Sequence, residues 1–369
     1  MEMEFNPWLV FGGLIVGILL GAVVQRSKFC MAAAVSNLVL MKDTRQLHAY
    51  LAAIAVAILG TQLLQSSAMV NMADAAYLKP QINVLGAITG GIIFGIGTVF
   101  AGGCVGRTLV RVGEGNIGAL IVLLSIAIMA AITMYGPLEA FRININETAA
   151  VTMAGESSLL SGLLSLDSIV IPVVLFCIWL AVVSFSIIGF FGNKVHDRSL
   201  LLAGVLIGLL VVAGWYITGY LSQDDFSVHR PVSLAFAGPL ANTAYMLSTG
   251  SSIGEGAMFG IMLLAGTLSG ALLSAIASKS FSWTLPKVSN IKNLVMGGIF
   301  MGFGAVVAGG CNLGHGLSGA STFSMTSIIA MVAIVIGMRV GLFMLMRTDE
   351  NKFDHYFRLM WNRMIRHQS

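Results

Sequence analysis

Three of the four cysteines in this 369-residue chain stand in short motifs with glycine or charged neighbours. Cys30 closes the stretch Arg-Ser-Lys-Phe-Cys, and Cys104 and Cys311 each follow a Gly-Gly pair. A cysteine can act as a metal ligand, as a nucleophile or, when neutral, as a weak hydrogen-bond donor. The fourth, Cys177, lies inside an apolar run, where a small buried or lipid-facing side chain is the ordinary interpretation.

The spacing of these cysteines favours the donor role over the other two. No CxxC or HxxxH pair occurs near them, so a structural zinc site is not predicted, and we expect no cofactor. A nucleophile needs a base, and His315, four residues after Cys311, is the candidate histidine near a motif. A neutral thiol could donate an S–H bond to a soft anion, whereas a thiolate would repel it; the sequence leaves the protonation state open.

The glycine pairs beside two of the cysteines predict a second kind of anion contact. Adjacent glycines break a helix and free backbone N–H groups, which inside a membrane is tolerated only against protein or water. Such groups at the start of a short helix form an anion cradle. We therefore assign to a binding and translocation site the members of the motifs and the cations near them: Cys30, Cys104, Cys311, Gly102, Gly103, Gly309, Gly310, Asn312, His315, Arg107 and Lys28. For Lys28, a positive-inside anchor is an alternative that suffices by itself.

The composition identifies the scaffold that must hold these motifs as an integral membrane protein. Apolar residues make up 57% of the chain and charged residues 10%, and the mean hydropathy is +0.90. A soluble domain would carry about 25% charged residues. The net charge of +4 is small and its placement is an orientation signal, so a nucleic-acid partner is not expected. Glu2 and Glu4 precede the first apolar run, whereas a secretory signal begins basic, so we expect a retained first span.

Hydropathy predicts an all-α fold of about nine transmembrane helices plus short re-entrant helices. A spanning helix needs about 20 mostly apolar residues. Nine segments qualify: 8–24, 47–65, 82–101, 117–135, 169–190, 200–220, 255–277, 293–308 and 326–346. Four apolar pieces that follow some of them are too short to cross: 29–41, 104–111, 232–248 and 311–322. Basic loops alternate with acidic loops across all nine spans, which places the N-terminus outside and the C-terminus in the cytoplasm.

An internal repeat divides the chain. Residues 90–104, GGIIFGIGTVFAGGC, match residues 297–311, GGIFMGFGAVVAGGC, at ten of fifteen positions, an offset of 207. The same offset places Phe29 and Cys30 opposite Phe236 and Ala237. We predict a first half at 1–136, an outer loop and connecting span at 137–199, an inverted second half at 200–346 and a basic amphipathic cytoplasmic tail at 347–369. Inverted repeats with broken helices commonly build a transport site where they meet.

These motifs resemble the YeeE/YedE family of membrane proteins, which includes bacterial thiosulfate permeases. The resemblance rests on RSKFC at 26–30, the AGGC motifs ending at 104 and 311, RVGEGN at 111–116, SLAFAGP at 233–239 and GHGLSGAST at 314–322. It implies nine spans in an hourglass, with Cys30, Cys104 and Cys311 at the waist passing thiosulfate along through weak S–H contacts. It also implies a bacterial inner-membrane location and a small cytoplasmic sulfur-carrier protein as a partner.

The sequence and the resemblance together predict a non-enzymatic permease for thiosulfate or a closely related sulfur anion. Three alternatives remain open at this point. One is transport of a selenium species, sulfite or sulfide, and another is a membrane sulfurtransferase that forms a persulfide on one cysteine. A membrane scaffold that docks a sulfur carrier without moving an anion is a third possibility.

Overall fold

The structure is a computed structural model that describes residues 6–78, 81–148, 150–152, 195–223, 229–250, 254 and 256–348. Within these residues eight helices are long and apolar enough to cross a membrane. They are α1 (Pro7–Ser27), α3 (Arg45–Ser66), α4 (Val84–Phe100), α6 (Ile117–Tyr135), α8 (Val195–Tyr216), α10 (Gly256–Ala277), α11 (Val288–Ala308) and α12 (Met325–Thr348). They confirm eight of the nine predicted spans. The ninth, 169–190, lies outside the described residues, as does the tail from 349 onward.

Helix α1 illustrates how the spanning helices divide their surface. Phe11, Ile15 and Leu19 recur every four residues and are at least half exposed, whereas Val16 and Leu20 are buried. A soluble helix would place polar residues on such an exposed stripe. An outward face of large apolar residues is what contact with lipid requires, so this helix packs inward on one face and meets the bilayer on the other.

Short helices follow the long ones where the sequence predicted them. These are α2 (Met31–Met41), α5 (Val105–Gly113) and α9 (Ala237–Thr249), together with a helix at 312–321 that includes a π-helical turn at Gly314–Gly319. All four short helices are confirmed as elements, whereas their re-entry into the membrane stays a prediction. The breaks before three of them use left-handed residues, at Lys28 (φ 53°), Gly102 (φ 73°) and Gly309 (φ 84°).

The two helices that carry the repeated sequence, α4 and α11, cross in an antiparallel direction. A Cβ atom at Gly97 would stand 2.7 Å from the Met301 amide nitrogen and 2.8 Å from the Gly297 carbonyl oxygen. At Gly90, earlier in α4, the neighbours are Gly304 and Ala308, later in α11. Gly90 and Gly97 are the repeat equivalents of Gly297 and Gly304, so each copy presents the same surface to the other. This is the contact that two oppositely oriented copies make across a two-fold axis.

Other contacts come in equivalent pairs. Helix α1 packs along α10, and its counterpart α8 packs along α3. Likewise α4 packs on α12 and α11 on α6. In each pair glycines allow the backbones to approach closely, as with Gly208 against Ala53. The small residues therefore explain how helices associate where water is absent.

A two-stranded antiparallel sheet, β1 (Gln81–Asn83) with β2 (Ala150–Thr152), and helix α7 (Glu139–Thr148) occupy the stretch that joins α3 to α4 and the stretch after α6. The hydropathy pattern had not predicted either element. Neither element is an apolar run of spanning length, and both α7 and β2 contact α4.

Candidate functional site

Each of the three motif cysteines immediately precedes a short helix. Cys30 and Cys104 are the N-cap residues of α2 and α5 and have extended backbones, while Cys311 stands just before the helix at 312–321. Their carbonyl oxygens accept the first helical hydrogen bonds, from Ala34, Thr108 and His315 at 2.8–3.0 Å. The first amides of a helix have no partner within it. In all three motifs the interruption between the long helix and the short one therefore places a thiol beside the positive end of the short helix.

Cys30 and Cys104 lie together beside a small cavity. Their Sγ atoms are 3.9 Å apart, both side chains are buried and both thiols are free. They line a cavity of about 10 Å³, which is roughly the space that a single water molecule needs. Apolar side chains surround it together with a few polar ones, Tyr50, Arg107, Thr267 and Asn312. We call this cavity the constriction.

Cys311 borders a larger space on the other side of Phe236. This space, which we call the vestibule, has a volume of about 820 Å³ and is lined by Gly309, Gly310 and Cys311, with polar contributions from Tyr77, His229, Arg230, Ser233 and Asn242. Phe236 is fully buried and lines both the vestibule and the constriction. Phe236 therefore lies where the two spaces adjoin, with Cys311 in the lining of one and the pair of Cys30 and Cys104 in the lining of the other.

The four glycines that were predicted to form anion cradles lie in different surroundings. Gly309 and Gly310 line the vestibule, whereas neither described space is lined by Gly102 or Gly103. Gly102 is exposed, and its carbonyl oxygen accepts a hydrogen bond from Arg111 at 3.3 Å. Because α4 and α11 run antiparallel, the two glycine pairs lie at opposite ends of that helix pair. The structure thus brings only the second pair to the vestibule.

Asn312 lines the constriction, and a hydrogen bond holds its main chain in place. The Tyr50 hydroxyl donates to the Asn312 carbonyl oxygen at 3.1 Å, and the Tyr50 ring stacks on Phe29 with 5.6 Å between ring centroids. The Asn312 side chain is 1% exposed, and neither its Nδ2 nor its Oδ1 has a hydrogen-bond partner among the described residues. The carboxamide of this lining residue is thus without a partner in the described part of the chain.

His315 is buried and both of its ring nitrogens meet protein groups. Nε2 lies 3.0 Å from the Ala308 carbonyl oxygen, and Nδ1 lies 3.0 Å from the Ser327 hydroxyl oxygen. A carbonyl can only accept, so Nε2 carries a proton and donates it. In a neutral ring Nδ1 then accepts from Ser327. This engagement gives His315 a positioning role for the Gly310 turn, because the ring packs directly against that glycine.

The two predicted cations occupy different places. Arg107 lines the constriction and pairs with Glu114, with 3.2 Å between Nη1 and Oε1 and both side chains largely buried. Lys28 is exposed, ends α1 in a left-handed conformation and lines neither the constriction nor the vestibule. Arg107 is therefore the cation that the structure places at the constriction.

Two aromatic residues of the site were not selected from the sequence. Phe236 carried a signal, because it is the repeat equivalent of Phe29, which lines the constriction as well. Tyr50 carried none: it is one aromatic residue near the start of the predicted span 47–65. Within the described residues no group of three or more His, Cys, Asp or Glu side chains could hold a metal ion.

Comparison with known proteins adds a family and two relatives. A family model described as sulphur transport matches residues 26–340. The thiosulfate transporter TsuA of Escherichia coli is 28% identical over 344 residues, which cover 89% of this chain and 93% of the relative. The thiosulfate transporter TsuA of Spirochaeta thermophila is 29% identical over 348 residues, covering 89% of this chain and 97% of the relative.

Proposed function

The chain belongs to the sulphur transport family, and we propose that it takes up thiosulfate across a bacterial inner membrane through the constriction at Cys30 and Cys104. The observation that carries the proposal is the 3.9 Å approach of two free, buried thiols in a cavity of water-molecule size. Similarity to two proteins named as thiosulfate transporters supports the choice of substrate. The anion passes without chemical change, so the chain acts as a permease and not as an enzyme.

The vestibule receives the anion. It is large enough to hold a hydrated anion, and Arg230 at its wall is exposed and cationic. A positive potential in a concave surface raises the local anion concentration. The anion then reaches Cys311 beside the turn at Gly309 and Gly310, where the start of the helix at 312–321 offers partial positive charge.

Thiols suit the next stage because thiosulfate has a soft terminal sulfur. A buried anion loses its hydration, and this cost must be offset by polar contacts. Neutral cysteines donate weak S–H bonds to the terminal sulfur, and the amides at the starts of α2 and α5 add partial positive charge. Weak contacts also let the anion leave, which a channel or carrier requires as much as binding. Cys311, Cys104 and Cys30 therefore act in sequence, and Phe236 moves aside between the first two.

The far end of the route lies at Arg107 and the basic loop between α10 and α11. The Thr284 amide of this loop donates to the Gly115 carbonyl oxygen at 3.2 Å, next to Glu114, the partner of Arg107. Lys279, Lys287 and Lys292 in and beside this loop are exposed. A cytoplasmic position for these lysines agrees with the positive-inside rule, with the N-terminus outside and the C-terminus inside. A small sulfur-carrier protein would receive the anion on this side.

Transport of thiosulfate by the purified protein in liposomes tests the proposal. Thiosulfate labelled with radioactive sulfur at its terminal position is added outside, and the label inside is measured and identified. We expect intact thiosulfate to accumulate faster than in protein-free liposomes and excess sulfate to compete poorly. Flux equal to that of protein-free liposomes contradicts the proposal. Label that stays covalently bound to cysteine contradicts it in favour of a sulfurtransferase.

A further inference from the structure

The side chain of Asn312 is a buried polar group that the fold leaves unpaired. It is 1% exposed, it lines the constriction, and neither end of its carboxamide has a partner among the residues that the structure describes. Folded proteins pair nearly all buried polar side-chain atoms, because an unpaired one loses its hydration without compensation. An unpaired carboxamide on a residue that lines a cavity is therefore expected to bind a transient partner.

The repeat shows that this position does not require a polar residue for packing. Asn312 follows Cys311, and the residue that follows Cys104 in the other copy is Val105, which is fully buried. The same local turn and the same start of a short helix thus accept an apolar side chain. The difference between the copies gives the lining of the constriction one residue with a carboxamide, among lining residues that are mostly apolar.

The neighbouring contacts keep this carboxamide free and fixed in place. Tyr50 donates to the main-chain carbonyl oxygen of Asn312 and not to its side chain. The next residue, Leu313, packs against Gly106 on α5, so the start of the helix at 312–321 is seated on the start of α5. Cys104 is the N-cap of α5. The Asn312 amide is therefore held close to the thiol pair by main-chain and apolar contacts.

We propose that the Asn312 carboxamide binds the sulfonyl oxygens of the passing anion, so that the constriction selects sulfur anions that carry both a soft sulfur end and hard oxygens. This inference rests on the proposed function. The Nδ2 group donates to the oxygens of the anion while the thiols of Cys30 and Cys104 contact its terminal sulfur. The Oδ1 atom accepts from a water molecule that accompanies the anion. A sulfur species without oxygens leaves the carboxamide unpaired and passes this point without its help.

Two substitutions at this position separate hydrogen bonding from packing. Asn312→Val installs the side chain found at the equivalent position in the other copy. Asn312→Thr installs a side chain of nearly the same shape as valine that carries a hydroxyl donor. A matched control is Thr108→Val, which removes a buried hydroxyl that likewise has no partner in the described part of the chain. Thr108 lies on α5 but outside the lining of the constriction. Thiosulfate uptake into proteoliposomes and the Tm of the purified protein are measured for each.

We expect Asn312→Val to lower thiosulfate uptake at low concentration by about tenfold or more, the effect of losing a hydrogen bond to a charged group. Its Tm should rise, by roughly 2 °C, because an unpaired buried polar group has been replaced by an apolar one. Asn312→Thr should regain about a third or more of the uptake, as a weaker donor in the same place. Thr108→Val should transport as the wild type does.

The outcomes separate this inference from the proposed function. Thiosulfate uptake that is absent from the wild type contradicts the proposed function itself. Wild-type uptake together with an unchanged rate in Asn312→Val overturns the role of the carboxamide alone. A loss in Asn312→Val that Asn312→Thr does not restore, with both proteins folded by their Tm, overturns the hydrogen bond and leaves packing as the cause.

Discussion

The Sγ atom of Cys30 lies 3.9 Å from the Sγ atom of Cys104, although 74 positions separate the two residues in the sequence. Each is carried to this place by a break after a long helix, at Lys28 after α1 and at Gly102 after α4. Two independent breaks thus end at the same point and bring both thiols into the lining of one small cavity.

The short separation of these thiols predicts that oxidation closes the route. Copper-catalysed air oxidation removes two electrons and two protons from the pair and bridges the sulfurs, which need to approach from 3.9 Å to about 2.05 Å. Treated proteoliposomes should lose thiosulfate uptake and recover it with dithiothreitol. Peptide mapping should find Cys30 joined to Cys104. Retained uptake in a sample whose mapping shows the full disulfide would contradict passage between these two residues.

The ion pair between Arg107 and Glu114 predicts that loss of the Glu114 charge gives a variant that binds thiosulfate more tightly and transports it more slowly. Glu114→Gln removes the anionic partner of a largely buried cation that lines the constriction, so Arg107 holds the passing anion for longer. The concentration for half-maximal uptake and the maximal rate should both fall, by about two- to fivefold.

The control for that variant is Asp43→Asn, which breaks an ion pair with Arg45 at 2.8 Å that lies outside the constriction and the vestibule. It should leave both kinetic parameters unchanged. If Glu114→Gln and Asp43→Asn behave alike, the Arg107 cation has no part in release of the anion.

The turn at Gly309 predicts a stability difference between two glycines that both have room for a methyl group. No atom lies within 4 Å of a Cβ placed at Gly309 or at Gly238, but only Gly309 has a left-handed backbone. Gly309→Ala should lower the free energy of unfolding by about 1 kcal/mol. Gly238→Ala, in the first turn of α9, should be neutral or stabilising by up to about 1 kcal/mol. Thermal unfolding in detergent measures both; equal Tm values would mean that backbone conformation at Gly309 is not what requires glycine.

Much of the fold could be predicted because its signals are local. A run of about 20 apolar residues is sufficient to predict a span, and the ends of α3 and α10 fall within two residues of their predicted positions. The repeat predicted two copies, and the contact of Gly97 with Gly297 is the arrangement that opposite orientation requires. Helix α7, which is polar, and the short sheet, whose strands have three residues each, escaped prediction because neither contains an apolar run of spanning length.

The residues of the site could be predicted from the sequence, whereas the contacts among them could not. Glycine pairs and cysteines identify Cys30, Cys104 and Cys311 in the sequence. Nothing local, however, says that the first two meet and that the third lines a different space. The free carboxamide of Asn312 was equally hidden, because having no partner is a property of the packed chain. Lys28 shows the reverse, since its position before Cys30 did not bring it to the constriction.

The central claim is that the anion passes along the thiols. The most direct test is the flux of labelled thiosulfate into liposomes that contain variants in which one cysteine is replaced by alanine. Cys104→Ala and Cys311→Ala should each lower the flux at least tenfold while the protein stays folded and inserted. Cys177→Ala, which removes the one thiol outside the motifs, should transport as the wild type does. Wild-type flux in both Cys104→Ala and Cys311→Ala would contradict the account.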